Sequence, residues 1–140
     1  MSIQAILLPL FVQVLLTYVL MFWMGRARVA MVSNGTVKVR DIALGQLAWP
    51  ERVQQISNAY HNQFQFPVLY YVLTILAIMT KQADVLFVVM AWLFVVLRIG
   101  HAAVHVTTNR VSRRFFIFLA GTVVLLLMWI IFAVRILLAM

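Results

Sequence analysis

Apolar and polar segments alternate along the chain in a pattern that predicts four membrane-spanning helices. The apolar stretches cover about residues 3–24, 51–80, 85–108 and 115–137. The first has about 22 residues, and at about 1.5 Å per residue such a helix covers a bilayer core of about 30 Å. Only residues 81–84 separate the second stretch from the third, which favours an antiparallel pair. We therefore expect an all-α membrane protein, a single up-down bundle of four transmembrane helices over residues 1–140.

Three local features modify this simple pattern. The longest polar connection, residues 25–50, leaves room for a short strand at 37–39. Pro67 lies inside the second stretch, and proline removes a backbone hydrogen bond and bends a helix, so we expect a kink there. Gln13 and Thr17 are one turn apart in the first stretch and predict a hydrogen-bonding contact between helices.

The second stretch begins with polar residues that share one helix face. They are Glu51, Gln55, Asn58, Asn62 and Gln65, spaced by four, three, four and three. Residues at this spacing lie on one stripe of a helix with 3.6 residues per turn. A polar stripe that enters hydrocarbon is costly unless it faces another helix, a water-filled cavity or a polar ligand. This stripe is therefore the first candidate for a functional site.

The third stretch carries a matching polar stripe. Its members are Arg98, His101, His105 and Asn109, spaced by three, four and four. Because the second and third helices are expected to be antiparallel neighbours, both stripes approach the same side of the membrane. The two stripes can then face one another and enclose a polar cleft.

Composition and charge restrict the class of protein. Hydrophobic residues make up 66% of the chain and charged residues 10%, which is too apolar for a soluble domain of 140 residues. The net charge of +8 does not indicate a nucleic-acid partner, because the basic residues flank apolar stretches and form no soluble face. The chain has no cysteine, so disulfides, thiolate metal sites and a cysteine nucleophile are excluded.

The basic residues also predict an orientation. They concentrate in residues 25–52 and 110–114, whereas the turn on the opposite side offers only Lys81 and Asp84. Positively charged connections remain in the cytoplasm as a rule. We therefore expect both termini to face away from the cytoplasm, with the two polar stripes near the cytoplasmic side.

Three kinds of chemistry fit a polar cleft of this composition. His101 and His105, joined by His61, suggest a metal site, but no carboxylate lies near them in the membrane, and we expect no metal. Proton-coupled export needs a carboxylate inside the membrane, and this chain offers none there. A polar, anionic ligand suits the amides and arginines best, because amides pair with peptide-like groups and arginines with carboxylates. Polar faces that only join subunits remain an alternative.

Two segments resemble the MAPEG family, the membrane-associated proteins in eicosanoid and glutathione metabolism, and are most similar to its small bacterial members. The first runs from Asn58 to Tyr71 and looks like the family's second-helix pattern of arginine, asparagine, acidic residue and proline. The second runs from Arg98 to Arg113 and looks like the third-helix pattern of arginine, histidine or aromatic residue, and tyrosine. The order of the four spans extends the resemblance over nearly the whole chain.

The resemblance implies a homotrimer that binds glutathione between subunits near the cytoplasmic face. It assigns ligand contacts to Asn58, Asn62, Gln65, Arg98, His101 and His105, and to Arg26 or Arg28 after the first span. Gln65 stands where the family usually has glutamate, Asn58 where arginine is frequent, and His105 where tyrosine is common. The arginine that activates the thiol is implied to be Arg113 or Arg114, and the spacing favours Arg114.

The expected function is accordingly a glutathione-dependent membrane transferase or peroxidase. Its second substrate is expected to be a small apolar electrophile or a lipid hydroperoxide that enters from the membrane lipid. The alternative is a non-catalytic trimeric scaffold or lipid-binding regulatory protein of the same fold. We expect the protein to lie in a bacterial inner membrane.

Overall fold

The computed structural model describes residues 1–45 and 48–139, and within these ranges the chain is helical without strands. The helices are α1 (Ile3–Ser33), α2 (Val39–Ile42), α3 (Glu51–Asn62), α4 (Phe66–Met79), α5 (Val85–Val106) and α6 (Val111–Leu138). Four stretches are long and apolar enough to cross a membrane, namely α1, α3 with α4, α5, and α6. The predicted all-α fold with four transmembrane helices is confirmed.

The first helix is longer than its apolar stretch. It continues past residue 24 to Ser33, so Arg26 and Arg28 lie on a helix and not in a connection. Residues 25–33 contain no proline and no pair of adjacent glycines, and their arginine, alanine and methionine residues all favour helix. Asn34 caps the helix after Ser33 and is followed by Gly35, which adopts a φ of +79°. The conceivable strand at 37–39 is absent, because Val39 begins the short helix α2.

The second span is broken where a kink was predicted. Helix α3 ends at Asn62, and α4 begins at Phe66 with Pro67 in its first turn. Between them the backbone makes tight turns, in which the N–H of Gln65 donates to the Asn62 carbonyl at 3.3 Å. Proline is tolerated in a first helical turn because the N–H groups there have no partner within the helix. Pro67 therefore starts a new helix instead of bending a continuous one.

The third helix stops earlier than predicted, and the fourth starts earlier. Helix α5 ends at Val106, so Asn109 lies in the turn to α6, with a φ of +49°. The last carbonyls of a helix need partners from outside it. Here Gln55 Nε2 donates to the carbonyls of His105 at 2.7 Å and Thr107 at 3.1 Å. These contacts from α3 fix the end of α5.

A buried apolar cluster holds α4, α5 and α6 together with α1. Its largest fully buried members include Tyr70 and Phe94, whose ring centroids are 5.1 Å apart. Beside this cluster, Gln13 Nε2 donates to Gln63 Oε1 at 2.9 Å, so the predicted contact runs from α1 to the turn between α3 and α4. Thr17 instead donates to the backbone of its own helix at Gln13. The cluster leaves the polar residues of α3, α5 and α6 at one end of the bundle.

Candidate functional site

The two polar stripes meet at one cavity of about 470 Å³ between α3, α5 and α6. Its lining residues are Asn58, His61, Asn62, Gln65, His101, His105, Val111, Arg114, Phe115 and Phe118. The structure thus brings together six of the ten residues expected at the site. The other four, Arg26, Arg28, Arg98 and Arg113, do not line this cavity.

Arg98 does not line the cavity but lies behind its wall, where it contacts the lining residue Asn62. Its side chain is buried, with 2% of its surface exposed, and its Nη2 donates to Asn62 Oδ1. The bond crosses from α5 to α3 and occupies the oxygen of the Asn62 amide. An amide also has two N–H donors, and these remain for a ligand in the cavity. Arg98 therefore orients Asn62 and gives the cavity wall a buried positive charge.

Arg114 enters the cavity from the first turn of α6. Its Nη1 donates to Asn109 Oδ1 at 2.7 Å. Asn109 reaches this position from a left-handed backbone conformation, which asparagine tolerates better than most residues. The turn between α5 and α6 thus holds the guanidinium of Arg114 in place beside the cavity.

The two histidines of α5 form the deep part of the cavity wall. Both are nearly buried, and their ring centroids are 5.6 Å apart in an edge-to-face arrangement. His101 also packs against the ring of Phe118 on α6, at 5.7 Å. In the part of the chain that the structure describes, the Nδ1 atoms of both rings are buried without a hydrogen-bond partner.

The cavity has a positive electrostatic character. The chain contains three acidic residues, and none of them is among the described residues that line it. Asp84 is bound to Arg135 at the opposite end of the bundle, and Asp41 lies beside Arg40 on an exposed helix. A buried arginine without a carboxylate partner is costly in a membrane. The arrangement therefore favours a ligand that brings its own negative charge.

The remaining predicted arginines lie elsewhere. Arg28 donates from Nη2 to Ser57 Oγ at 3.1 Å and stacks over the Trp49 ring at 4.9 Å. Arg26 lines a separate open groove on α1. Arg113 is exposed, one position away from Arg114 and on a different face of α6. Their expected contacts with glutathione stay predictions.

Four lining residues were not expected at the site. His61 follows Asn58 by three positions, so the helical period alone was sufficient to place it on the same face. Val111, Phe115 and Phe118 belong to α6. The predicted fourth stretch began only after Val111, and it carried no polar stripe to show that Phe115 and Phe118 face the cavity. Within residues 1–45 and 48–139, no three histidine, aspartate or glutamate side chains are grouped so that they could hold a metal ion.

An apolar cavity of about 440 Å³ adjoins the polar one between α4 and α6. It is lined by Phe66, Leu69, Thr122, Leu125, Leu126 and Trp129. The ring of Phe66 contacts the ring of Phe118 at 5.4 Å, and Phe118 belongs to the wall of the polar cavity. One aromatic pair thus separates a polar, positively charged cavity from an apolar one.

Comparison with known proteins identifies the family. The sequence model of the MAPEG family matches residues 6–134 of the 140-residue chain, and this range reaches into all four membrane-spanning stretches. No curated protein and no solved structure matches the chain significantly. The family match agrees with the helical architecture. The chain is an integral multi-pass membrane protein and belongs to the MAPEG family, which generally uses glutathione as a substrate or cofactor.

Proposed function

We propose that the protein is a glutathione-dependent membrane transferase or peroxidase that acts on apolar electrophiles or lipid hydroperoxides. The observation that carries this proposal is the positively charged cavity of about 470 Å³ with amide, imidazole and guanidinium groups in its wall. Bound glutathione supplies a thiol, and the ionised thiol is the reactive nucleophile. The chain's own residues have to bind the peptide, stabilise negative charge at the sulfur, and admit the second substrate.

The residues present fit glutathione chemically. The cavity volume lies within the range of about 300 to 1,000 Å³ that is usual for small-molecule sites. The amides of Asn58, Asn62 and Gln65 can donate to and accept from a peptide backbone. Gln65, as an amide in the place of a carboxylate, accepts from the ligand's ammonium group without adding a charge. The uncompensated arginine charges match the two carboxylates of the tripeptide.

Arg114 is the residue that we propose to stabilise the thiolate. Its guanidinium lines the cavity, and Asn109 Oδ1 restrains it at 2.7 Å. A fixed positive charge beside a thiol favours the ionised form. Arg113 was the other candidate, but it is exposed outside the cavity and serves better as a control position.

The adjoining apolar cavity supports an apolar second substrate. Leu69 and Leu126, which line it, are about half exposed on the outer surface of the bundle. A molecule dissolved in the lipid therefore finds an apolar path towards the Phe66 and Phe118 rings. This arrangement favours substrates with an aliphatic or aromatic body over charged ones.

We further propose the homotrimer and the orientation that family resemblance and charge imply. The start of α3 and the turn 107–110 lie at the same end of the bundle, because Arg52 on α3 donates to the carbonyl of Val106 on α5. This end carries most of the basic residues and is expected to face the cytoplasm. Native mass spectrometry of the protein in detergent tests the trimer directly.

The experiment that tests the function is glutathione binding to the purified protein in detergent. Calorimetry measures the affinity, and ultraviolet absorbance measures the bound thiolate. Wild type is expected to bind with a thiolate signal, which Arg114→Ala removes and the control Arg113→Ala retains. Conjugation of a model electrophile should follow the thiolate signal. Absence of glutathione binding in wild type would favour the non-catalytic scaffold.

A further inference from the structure

The polar and apolar cavities lie one after the other along a single face of α6. Arg114 and Phe118 line the polar cavity, whereas Thr122 and Trp129 line the apolar one. These positions follow one another by four, four and seven residues, which places them on one stripe of a helix. A ligand that extends along this stripe from Arg114 therefore passes from a positively charged site into an apolar cavity of about 440 Å³.

The break in the second span contributes a residue to each cavity. Gln65, which precedes α4, lines the polar cavity, and Phe66, the first residue of α4, lines the apolar one. Pro67 follows directly and is fully buried, so the backbone that carries Phe66 has little freedom. Successive residues at this break thus belong to different cavities, and the boundary between the cavities lies at Phe66.

Phe66 and Phe118 form a partition where the two cavities meet. Their ring centroids are 5.4 Å apart in an edge-to-face arrangement, so the rings are in contact and leave no passage between them. Phe118 also packs against the ring of His101, with 5.7 Å between the centroids. Both phenylalanine side chains are partly exposed, so the partition has a free edge at the surface of the bundle. A ligand that occupies both cavities has to cross this edge.

We propose that Phe66 and Phe118 determine specificity for the second substrate, which is a long, unbranched aliphatic molecule with its reactive atom at one end. The reactive end lies beside the glutathione sulfur near Arg114, and the chain crosses the partition into the apolar cavity. A single chain of methylene groups fits along the edge of the rings, whereas the arms of a branched chain collide with them. This inference rests on the proposed function and specifies the class of its second substrate.

The dimensions of α6 decide which part of a ligand meets the partition. Phe118 follows Arg114 by four residues, a rise of about 6 Å along the helix axis. A methyl group on the glutathione sulfur ends before the partition, whereas an octyl chain extends past it into the apolar cavity. Each methylene group that leaves water for an apolar site raises the affinity about threefold. Affinity should therefore rise with the length of a straight chain.

Binding of S-alkylglutathiones to the purified protein in detergent tests this specificity without turnover. S-octylglutathione carries a straight chain, S-(2-propylpentyl)glutathione carries the same number of carbon atoms in two shorter arms, and S-methylglutathione is the short reference ligand. In wild type, calorimetry should show that S-octylglutathione binds about 100-fold more tightly than S-methylglutathione. It should bind about tenfold more tightly than its branched isomer.

Variants of the partition assign the preference for the straight isomer. Phe118→Ala removes one ring and should reduce this preference from about tenfold to about twofold or less. Phe66→Ala removes the other ring and should have the same effect, so the partition is tested even where one of the two variants fails to fold. Phe116→Ala is the matched control and should keep the wild-type ratios, because Phe116 is exposed and lines neither cavity.

A variant of the apolar cavity tests where the chain lies. Thr122→Phe fills the cavity and should remove most of the affinity gained from the octyl chain. The Thr122 hydroxyl donates to the Phe118 carbonyl of its own helix at 2.9 Å, so the lost bond is one within α6. The affinity of each variant for S-methylglutathione shows that it is folded and is the reference for its ratios. Comparison in one detergent cancels the partition of the ligands into micelles.

The outcomes separate this inference from the proposed function. An octyl chain that adds no affinity in wild type, or whose gain persists in Thr122→Phe, would show that the chain does not enter the apolar cavity. Equal binding of the two isomers by wild type, or a full preference in Phe118→Ala and Phe66→Ala, would exclude the partition as the source of specificity. These results would leave the proposed glutathione chemistry standing. If wild type binds neither glutathione nor S-methylglutathione, the proposed function fails, and this inference fails with it.

Discussion

Asp84 at one end of the bundle and the buried polar groups at the other end differ in whether they have hydrogen-bond partners. At the end where α5 begins, Asp84 Oδ1 accepts from the Phe87 N–H at 2.9 Å and Oδ2 accepts from Arg135 at 2.8 Å. At the other end, the described chain offers no partner to Arg98 Nε or to the Nδ1 atoms of His101 and His105. The Asp84 carboxylate at the first end is paired through both oxygens, whereas the polar groups at the second end have binding capacity left over.

This contrast shows where stability and function reside. Unpaired polar atoms in a dry environment cost free energy, so they persist only where packing elsewhere is sufficient. The apolar cluster around Tyr70 and Phe94 provides that packing. Substitutions in the cluster should therefore affect folding, and substitutions at the polar cavity should affect ligand binding with little loss of stability. The following predictions test this division, beginning with the largest effect.

Phe94→Ala should give the largest loss of stability. Phe94 is fully buried and packs against Tyr70, so its removal leaves a cavity. In a membrane the transfer contribution is small because lipid is as apolar as the protein interior, so we expect about 2–3 kcal/mol, below the usual range for such changes. Unfolding in detergent measures it, with the half-exposed Leu93→Ala as control. Equal losses for both variants would contradict the assignment of the core.

Arg98→Met should separate stability from binding. Removal of a buried charge without a carboxylate partner should raise stability by about 1 kcal/mol. Asn62 then loses its donor and its orientation, and glutathione affinity should fall about tenfold, or about 1.4 kcal/mol. Thermal unfolding and calorimetry measure the two effects, and the exposed Arg113→Met should change neither. An Arg98→Met variant that binds glutathione normally would show that Arg98 does not position Asn62.

Asn109→Gly should weaken the site without disturbing the backbone. Glycine readily adopts the positive φ of this position, so the main effect is loss of the contact to Arg114. One hydrogen bond to a charged group corresponds to roughly a fivefold loss of thiolate absorbance. Asn109→Asp retains a partner for Arg114 but neutralises its charge, and a larger loss is expected. The reverse order of the two variants would contradict a purely electrostatic role for Arg114.

Asp84→Asn should have the smallest effect. Burial raises the pKa of this carboxyl, but the bond from the Phe87 N–H and the bond and charge of Arg135 together outweigh it, so the pKa lies below its ordinary value of 3.8. Because the folded-state pKa is the lower one, the stabilisation is present above the ordinary value and is lost as pH falls through the folded-state pKa. The pair is partly exposed, and we expect about 0.5 kcal/mol.

The pH dependence of unfolding provides the measurement for this pair. Wild type should lose stability relative to Asp84→Asn only in the acid range. Above the acid range, Arg135→Gln should lose as much stability as Asp84→Asn. The double variant should be little less stable than either single variant. A difference that persists unchanged into acid would show that the carboxylate charge does not stabilise this end.

The sequence predicted which polar residues lie around the cavity better than it predicted which of them line the cavity and which lie behind its wall. Helical spacing placed Asn58 and Asn62 on one stripe and His101 and His105 on another, and the cost of polar groups in a membrane directs such stripes towards each other. Spacing also put Arg98 on the second stripe. Arg98 lies behind the cavity wall because of how closely α3 and α5 pack. The spacing of residues along one helix gives no information on the distance between two helices.

The helix ends were harder to predict for a related reason. Helix α5 stops at Val106 because Gln55 and Arg52, about 50 residues earlier in the chain, bind its last carbonyls. No local signal near Val106 reports those contacts. Asn109 was consequently expected on the helix, although its left-handed turn is what restrains Arg114. Contacts between distant segments determined this part of the site.

The bond between Arg98 and Asn62 also bears on how the chain enters a bilayer during synthesis. An arginine in the middle of a lone helix opposes insertion by about 2.5–3.5 kcal/mol. Asn62 is synthesised before Arg98, and only residues 80–84 separate α4 from α5, so both residues belong to one helical hairpin. When this hairpin inserts as a unit, the polar partner accompanies the arginine. Arg98 and Asn62, which shape the cavity wall, thus also lower the free-energy cost of inserting α5 into the membrane.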